Sequence, residues 1–415
     1  MDDERRCNLL GLNFLNTFEN HETCKSLMNK RGKIAQLISV AYLVLIVSCV
    51  KKEAVVSHES YERINITIDA HNFDTSPFKS LEFIEIKSKP IGRIKQLYAF
   101  DSTLLFSVSS GNERLFLYNL QQETLNPILT KGTGPGEINE VTDLYVDPEN
   151  NFYALDAVNS MLRSFNAAGS AIEQVKMPNT FDEIVVQKNK ITALSKVPYN
   201  DKDNYKIDLL ENKNGVIATT KQFFPLLPIA VERDFHQYKS VFTYKDTVRF
   251  VQPLLDTIYA GFDDDFSIRY VLSFGDKKLP LDLYKDANLN LSQFIKRIKQ
   301  GNYIWGISTF LENEQFVFLT YLYGAEQVVY FTLYDKKTKK TSTATAIDFI
   351  HIPALKNIKI TPDFYPVYLT DEAFYFVASP DFLAENNIEM EAFDKANTKN
   401  DSAYEGNQLV LKFNF

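Results

Sequence analysis

From about Ile91 to the C-terminus the chain is a succession of short apolar runs at period two, separated by turn clusters, and this restricts the fold more than any other feature. Leu104-Leu105-Phe106-Ser107-Val108 precedes Arg114-Leu115-Phe116-Leu117-Tyr118. Leu144-Tyr145-Val146-Asp147 precedes Phe152-Tyr153-Ala154-Leu155-Asp156 and Leu162-Arg163-Ser164-Phe165. Between them, Asp147-Pro148-Glu149-Asn150-Asn151, Asn166-Ala167-Ala168-Gly169 and Asn212-Lys213-Asn214-Gly215 supply the residues that fix φ or allow it to be positive. Such a chain is all-β and built from hairpins. Its 13% aromatic content leans the same way.

Spacing decides among sandwich, barrel and propeller. Similar units recur at about 91–130, 131–178, 179–228, 229–280, 300–347 and 348–415, each with three or four strand-length runs. Six units of this length predict a six-bladed β-propeller, because radial repetition closes a chain of this size without long exposed edges. Two stretches depart from the β pattern and are expected to be short helical insertions. Leu291, Phe294, Ile295 and Ile298 follow helical spacing, and Ser379-Pro380-Asp381 opens a capped segment through Phe393.

The N-terminal part carries an address. Lys30, Arg31 and Lys33 precede an apolar run from Ile34 to Val47 of about 14 residues, shorter than the roughly 20 a membrane-spanning helix needs. Ile46-Val47-Ser48-Cys49 then resembles the bacterial lipobox, in which the cysteine is diacylated and becomes the first mature residue. Cys49 is therefore the expected lipidation site, and two acyl chains hold a protein at a membrane surface where one would be marginal. Asp2, Asp3 and Glu4 are unlike the basic head of a signal, so 1–27 reads as an extension ahead of a start at Met28, with 28–48 the signal peptide. Residues 49–90 read as a lipidated tether with a candidate first strand at Ile64-Asn65-Ile66-Thr67-Ile68, and 91–415 as the propeller. The other two cysteines, Cys7 and Cys24, precede Cys49, so the folded part has no thiol, disulfide or Cys-bound metal.

Charge narrows the partners. Six of the 45 Lys and Arg and five of the 53 Asp and Glu precede Cys49, leaving 39 basic against 48 acidic residues, a net charge of −9. A nucleic-acid partner is disfavoured, since phosphate binding needs a basic face. The basic run Lys336-Lys337-Thr338-Lys339-Lys340 lies between two strand-like segments and reads as a solvated hairpin turn.

Gly132-Thr133-Gly134-Pro135-Gly136-Glu137 and the stretch from Leu144 to Gly169 resemble an NHL-type propeller repeat, with its Y-x-x-D strand and R-x-F strand. Leu255-Asp256-Thr257-Ile258-Tyr259, Arg269 to Gly275, and the ending Asn407-Gln408-Leu409-Val410-Leu411-Lys412-Phe413 are similar to six-bladed, TolB-like lipoproteins of Bacteroidota. The resemblance implies a propeller at the cell envelope, with the outer membrane as its expected site. It implies no particular activity, because propellers host many.

Individual motifs yield little catalytic chemistry. Gly132–Glu137 lacks the Lys-Ser/Thr and the following helix of a phosphate loop, so it reads as a turn between blades. Asp156 reads as a structural cap for neighbouring backbone N–H groups. Asp263-Asp264-Asp265 lacks the alternating ligands of a calcium loop and reads as a hairpin turn. His58, His71, His236 and His351 have no zinc-ligand spacing, and no G-x-S-x-G elbow exists, so no catalytic residue, metal or cofactor is assigned. Asp101-Ser102-Thr103, Asp246-Thr247-Val248, Asp256-Thr257-Ile258 and Asp401-Ser402-Ala403 resemble the O-glycosylation pattern of exported Bacteroidota proteins. Ser402, in a polar stretch, is the best candidate, and Thr257 reads as a strand residue. The expected role is binding or scaffolding of a protein, peptide or glycan. The alternative is a hydrolase or lyase with a metal in the central channel. Carboxylates converging on one channel end would mark the enzyme, and a mixed apolar or uncharged lining the binder.

Overall fold

In the computed structural model the described residues are 61–68, 73–88, 91–134, 136–196, 205–226, 239–252, 254–262, 265–348, 359–360, 366–378 and 408–415. All belong to one unit, Glu59–Phe415. They form six blade sheets whose four main strands are antiparallel, and a two-stranded pairing of Ile347–Asp348 with Lys359–Ile360. Blade 1 comprises Ile94–Phe100, Thr103–Val108, Glu113–Asn119 and Thr124–Lys131, and blade 2 comprises Asp143–Val146, Phe152–Asp156, Met161–Phe165 and Ala171–Lys176. Blade 3 comprises Glu183–Gln187, Lys190–Leu194, Tyr205–Lys213 and Val216–Pro225, and blade 4 comprises Val241–Tyr244, Thr247–Val251, Thr257–Phe262 and Asp265–Ser273. Blade 5 runs through Ile304–Glu312, Phe316–Tyr323, Val328–Asp335 and Lys340–Ala344. Blade 6 combines Pro366–Leu369, Ala373–Ala378 and Leu409–Asn414 with an outer strand from far upstream, Ser80–Glu85. The expected six-bladed propeller is the observed fold.

Burial explains the sequence pattern. The middle strands are covered on both faces by neighbouring blades, so Thr103–Val108 is buried at every position after Thr103, as in sheets sandwiched between layers. Outer strands face water, and in Ala171–Lys176 only Val175 is buried. The alternation expected of every strand thus gives way to continuous apolar runs at mid-blade. Apolar clusters lie between successive blades and complete the circle: Leu105, Leu144 and Phe152 join blades 1 and 2, and Val185, Ile207 and Phe250 join blades 3 and 4. Phe318, Phe331, Phe374 and Phe413 join blades 5 and 6, while Phe106, Tyr375 and Val410 join blades 6 and 1.

The segment read as a tether is corrected in part. Among the described residues, unit 348–415 supplies three strands of blade 6, and the sheet's fourth is Ser80–Glu85, paired along its full length from Ser80 opposite Asn414 to Glu85 opposite Leu409. Upstream, Glu62–Asn65 adds in parallel to the outer edge of blade 4, and Ile64, Ile66 and Ile68 are buried in the core shared by blades 4 and 5. The strand found there, Glu62–Asn65, shares only Ile64 and Asn65 with the stretch 64–68.

The first strand of each blade is innermost, lying against the first strand of a neighbouring blade. Side chains stitch this inner ring together. The Asp143 carboxylate that opens the first strand of blade 2 accepts the N–H of Ile184 in blade 3 at 2.8 Å, and Glu183, opening blade 3, accepts from Ser240 and Val241 at 2.6 and 2.9 Å. Gln408 accepts the N–H of Ile94 at 2.5 Å, tying blade 6 to blade 1.

Between blades 4 and 5 the predicted insertion forms two short helices, Leu281–Lys285 and Leu291–Gly301. The second begins with a capping box: Asn290 accepts from Gln293 N–H, and the Gln293 side chain accepts from Asn290 N–H. Phe294 and Ile298 form its buried face, in a cluster with Leu254, Tyr284 and Trp305. Asn290→Ala should lower stability by about 1 kcal/mol, read as a shift in a urea unfolding midpoint. The helix expected from Ser379 lies outside the described residues.

Candidate functional site

The inner strands of blades 1, 2, 4, 5 and 6, with Lys239 just ahead of blade 4, surround a cavity of about 120 Å³. It lies in the propeller's central channel. Five of its fourteen lining residues are aromatic. Tyr98 and Tyr368 stand with ring centroids 4.9 Å apart, and Phe242 and Phe310 form a second pair at 5.6 Å. Tyr145, Gln96, Thr243 and Thr309 add uncharged polar groups. Burial pushes the Tyr145 hydroxyl up to about 12, against the opposing effect of its bond with Thr243, and burial raises Tyr368 to about 12 as well. Both phenols are neutral at physiological pH and available as donors and acceptors.

Two charged side chains reach the described lining, and both are committed elsewhere. Lys239 Nζ lies 3.0 and 3.2 Å from the two Asp143 carboxylate oxygens and donates also to Leu144 O at 3.0 Å and Tyr98 Oη at 3.1 Å. Gln96 Nε2 donates to the same carboxylate at 2.6 Å. Glu312 accepts from Arg249 Nε at 2.6 Å and Tyr270 Oη at 2.7 Å, with Lys336 Nζ at 2.7 Å. Burial raises the Glu312 pKa, yet the Arg249 and Lys336 charges outweigh it and hold the carboxyl below its ordinary range. Lys336 thereby corrects the solvated-turn reading. The run 336–340 does connect two strands of blade 5, but its first lysine folds inward, with only 14% of its side chain exposed, to neutralise Glu312.

Other sequence assignments are accounted for locally. The turn after blade 1 is closed by Glu137, which accepts from Gly134 N–H at 2.7 Å, so the loop's own carboxylate sits where a phosphate would be cradled. Gly132 has a φ of +155°, a backbone conformation that a residue with a Cβ rarely adopts, which explains the glycine. Asp156 is fully buried and accepts the N–H of Asn159 at 3.1 Å and of Asn139 at 3.4 Å, the cap expected of it, with Arg163 at 3.8 Å. Asp265 pairs with Phe262 across the hairpin turn expected there, and Thr257 opens a strand. Cys49, Ser402 and all the histidines lie outside the described residues. Among the described residues, no three His, Cys, Asp or Glu are grouped so as to hold a metal ion, and no helix is long and apolar enough to cross a membrane.

The channel residues were absent from the sequence reading. Their signal was available in principle: once unit boundaries are set, the first run of each unit is innermost, and its aromatic or hydroxylic residues line the axis. Gln96 and Tyr98, spaced by two, illustrate it.

Residues 87–410 match the family described as "Domain of unknown function (DUF4934)". The chain belongs to this family. Among solved structures, the DUF4934 chain is similar to a protein of Bacteroides fragilis named as exported, with 18% identity, a TM-score of 0.64, and coverage of 85% of this chain and 99% of that one. That likeness shows the propeller fold. A member of the DUF4221 family from Bacteroides vulgatus aligns with 10% identity and a TM-score of 0.49, over 81% of this chain and 97% of that one. A protein of unknown function from Bacteroides thetaiotaomicron aligns with 9% identity and a TM-score of 0.44, over 81% of this chain and 73% of that one. No curated protein matches the sequence.

Proposed function

We propose that this DUF4934 chain is a cell-envelope lipoprotein whose propeller is a binding module, with the central channel as its binding site. One observation carries the reading: the described lining mixes aromatic, aliphatic and uncharged polar side chains, and its charged members, Lys239 and Glu312, are already paired, with Asp143 on one side and with Arg249 and Lys336 on the other. Such a wall offers shape, ring faces and neutral hydrogen bonds, the means by which most preformed pockets hold a ligand. Residues on rigid inner strands also keep that geometry without paying to order a loop.

The envelope address rests on Lys30, Arg31 and Lys33, the apolar run 34–47 and Cys49, and the exported name of the Bacteroides fragilis relative agrees with it. Membership among NHL-like and TolB-like lipoproteins, the outer membrane as destination, and O-glycosylation at Ser402 are parts of the same proposal. Cys49→Ala should abolish labelling by radioactive palmitate and move the protein out of the membrane fraction. Continued labelling of that variant would sink the anchor.

The binding role is tested by affinity capture from envelope extract on immobilised residues 50–415, with Tyr368→Ala as control. An envelope component retained by the former and lost from the latter supports the channel as the site; equal retention places the partner elsewhere. Stoichiometric Ca²⁺ in elemental analysis of the purified protein would instead favour a metal-assisted hydrolase or lyase.

A further inference from the structure

We propose that the helical insertion between blades 4 and 5 is a membrane-facing surface that docks on anionic lipid headgroups; the inference rests on the lipid anchor at Cys49. Residues 275–301 hold six Lys or Arg against three Asp, while the rest of the chain from Cys49 onward holds 33 basic against 45 acidic residues. A cationic insertion thus stands on an acidic protein. Lys277 and Lys278 have Asp276 and Asp256 at 3.0 and 2.6 Å, but Lys285, Lys296, Arg297 and Lys299 are exposed and, among the described residues, have no carboxylate partner. Phe294 and Ile298 hold the helix Leu291–Gly301 against the core, which turns residues 296, 297 and 299 to solvent. Both helices also open on an exposed leucine, Leu281 at 46% and Leu291 at 39%. Leucines beside unpaired cations match the layering of a bilayer surface, where apolar side chains enter the acyl boundary and cations meet the phosphates.

The path of the N-terminal chain brings this surface to the bilayer. Glu62–Asn65 lies on the outer edge of blade 4 with Asn65 opposite Ser273, and Ile66 N–H donates to Ser273 O at 2.9 Å. The insertion begins two residues further on, at Gly275. Cys49 and Tyr61 are twelve residues apart, a separation of about 40 Å at full extension. An acylated Cys49 therefore keeps this edge of blade 4 near the headgroups. An anionic leaflet repels the acidic remainder of the chain and attracts the insertion, so the insertion is the part that turns toward it. Two acyl chains already hold the protein at the surface, and the basic face sets how the ring stands on it.

The test is lysine footprinting of the full-length protein as the cell processes it, reconstituted into vesicles of phosphatidylcholine alone or mixed with phosphatidylglycerol. Acetylation by a water-soluble reagent is read at each lysine by mass spectrometry. Lys285, Lys296 and Lys299 should react about threefold more slowly on the anionic vesicles, since each cation near such a surface gains an attraction of thermal size or more. Lys131 and Lys213, exposed on blades 1 and 3, should be unchanged. Raising the salt to about 1 M, where the Debye length is about 3 Å, should remove the difference. Arg297→Glu, an exposed change, should reduce the protection of Lys296 and Lys299. Equal rates on the two kinds of vesicle overturn the surface, as does slowing of Lys131 and Lys213 to the same degree. Protection by soluble polyglutamate without protection by anionic vesicles would assign an acidic protein partner and overturn the lipid. Palmitate labelling of the same preparation reports the anchor separately. A labelled protein with no footprint keeps the anchor and loses the surface; an unlabelled protein that is protected when mixed with anionic vesicles keeps the surface and loses the anchor.

Discussion

A protein truncated to begin at Ile86 is expected to fail to fold at 25 °C, emerging as an aggregate on size exclusion and without a cooperative melt by circular dichroism. The strand Ser80–Glu85 is the outer strand of blade 6, and its loss leaves all of Leu409–Asn414 unpaired on its outer side, with Ala373–Ala378 still on the other. Phe78 goes with it. Its ring is 2% exposed and lies 5.7, 5.9 and 5.4 Å from Phe374, Phe413 and Phe415, so its removal alone compares with a buried Phe→Ala change of about 3–5 kcal/mol. Ile64, Ile66 and Ile68 leave the core of blades 4 and 5 in the same cut, and each buried aliphatic side chain contributes about 1.5–3 kcal/mol. These losses together approach the whole 5–15 kcal/mol by which domains of ordinary stability are folded. A protein beginning at Asp74 separates the two contributions: it keeps Phe78 and the blade 6 strand, so it should fold with a lower melting temperature. One beginning at Glu59 should match the full chain. If the Ile86 protein melted cooperatively near the full-length value, closure by the N-terminal strand would not be what holds the ring.

The outcome bears on why some of this fold can be read from sequence and some cannot. Strand boundaries were legible because they are written locally, in turns such as Asp147–Asn151 within blade 2, where the Asp147 carboxylate accepts from Glu149 and Asn151 N–H, and in the apolar runs that mid-blade strands need on both faces. Asp156 was legible for the same reason, since its capping partner Asn159 is three residues away. Ser80–Glu85 was not. Its half-buried pattern is short, and its partner lies more than 320 residues downstream, so nothing near it in sequence says where it pairs. Lys336 shows the same limit in charge: within a basic run it is indistinguishable from its solvated neighbours, and only the approach of Glu312 from the first strand of blade 5 turns it inward. The channel needed both kinds of information at once, because Tyr98, Tyr145, Thr309 and Tyr368 come from four blades.

The Glu312 cluster yields the second large effect, because it holds two cations and one carboxylate where blades 4 and 5 meet. Arg249 and Glu312 are almost wholly buried, Tyr270 donates to the same carboxylate, and Lys336 completes the pair from the blade 5 hairpin turn. Glu312→Gln keeps the shape and removes the charge, leaving Arg249 and Lys336 buried side by side. Breaking a buried pair in this way should cost about 3–5 kcal/mol in urea unfolding. The pH dependence carries the same signature. The folded pKa of Glu312 lies below the unfolded value, near 4.3 for a free glutamate, so the unfolded state takes up the proton first as pH falls. The stabilisation is therefore complete above the unfolded pKa and is lost as pH drops through the folded one. Between about pH 5 and pH 3 the stability of Glu312→Gln should fall less steeply than that of the native protein, and the two curves should converge. A third variant separates charge burial from a need for this cluster: Arg249→Met, Glu312→Leu and Lys336→Met together replace every ionised member with an apolar side chain. If the cost of Glu312→Gln comes from stranded charge, the triple variant should recover most of it. A triple variant as unstable as Glu312→Gln would mean that the cluster's hydrogen bonds, with Tyr270 among them, set the junction of the two blades.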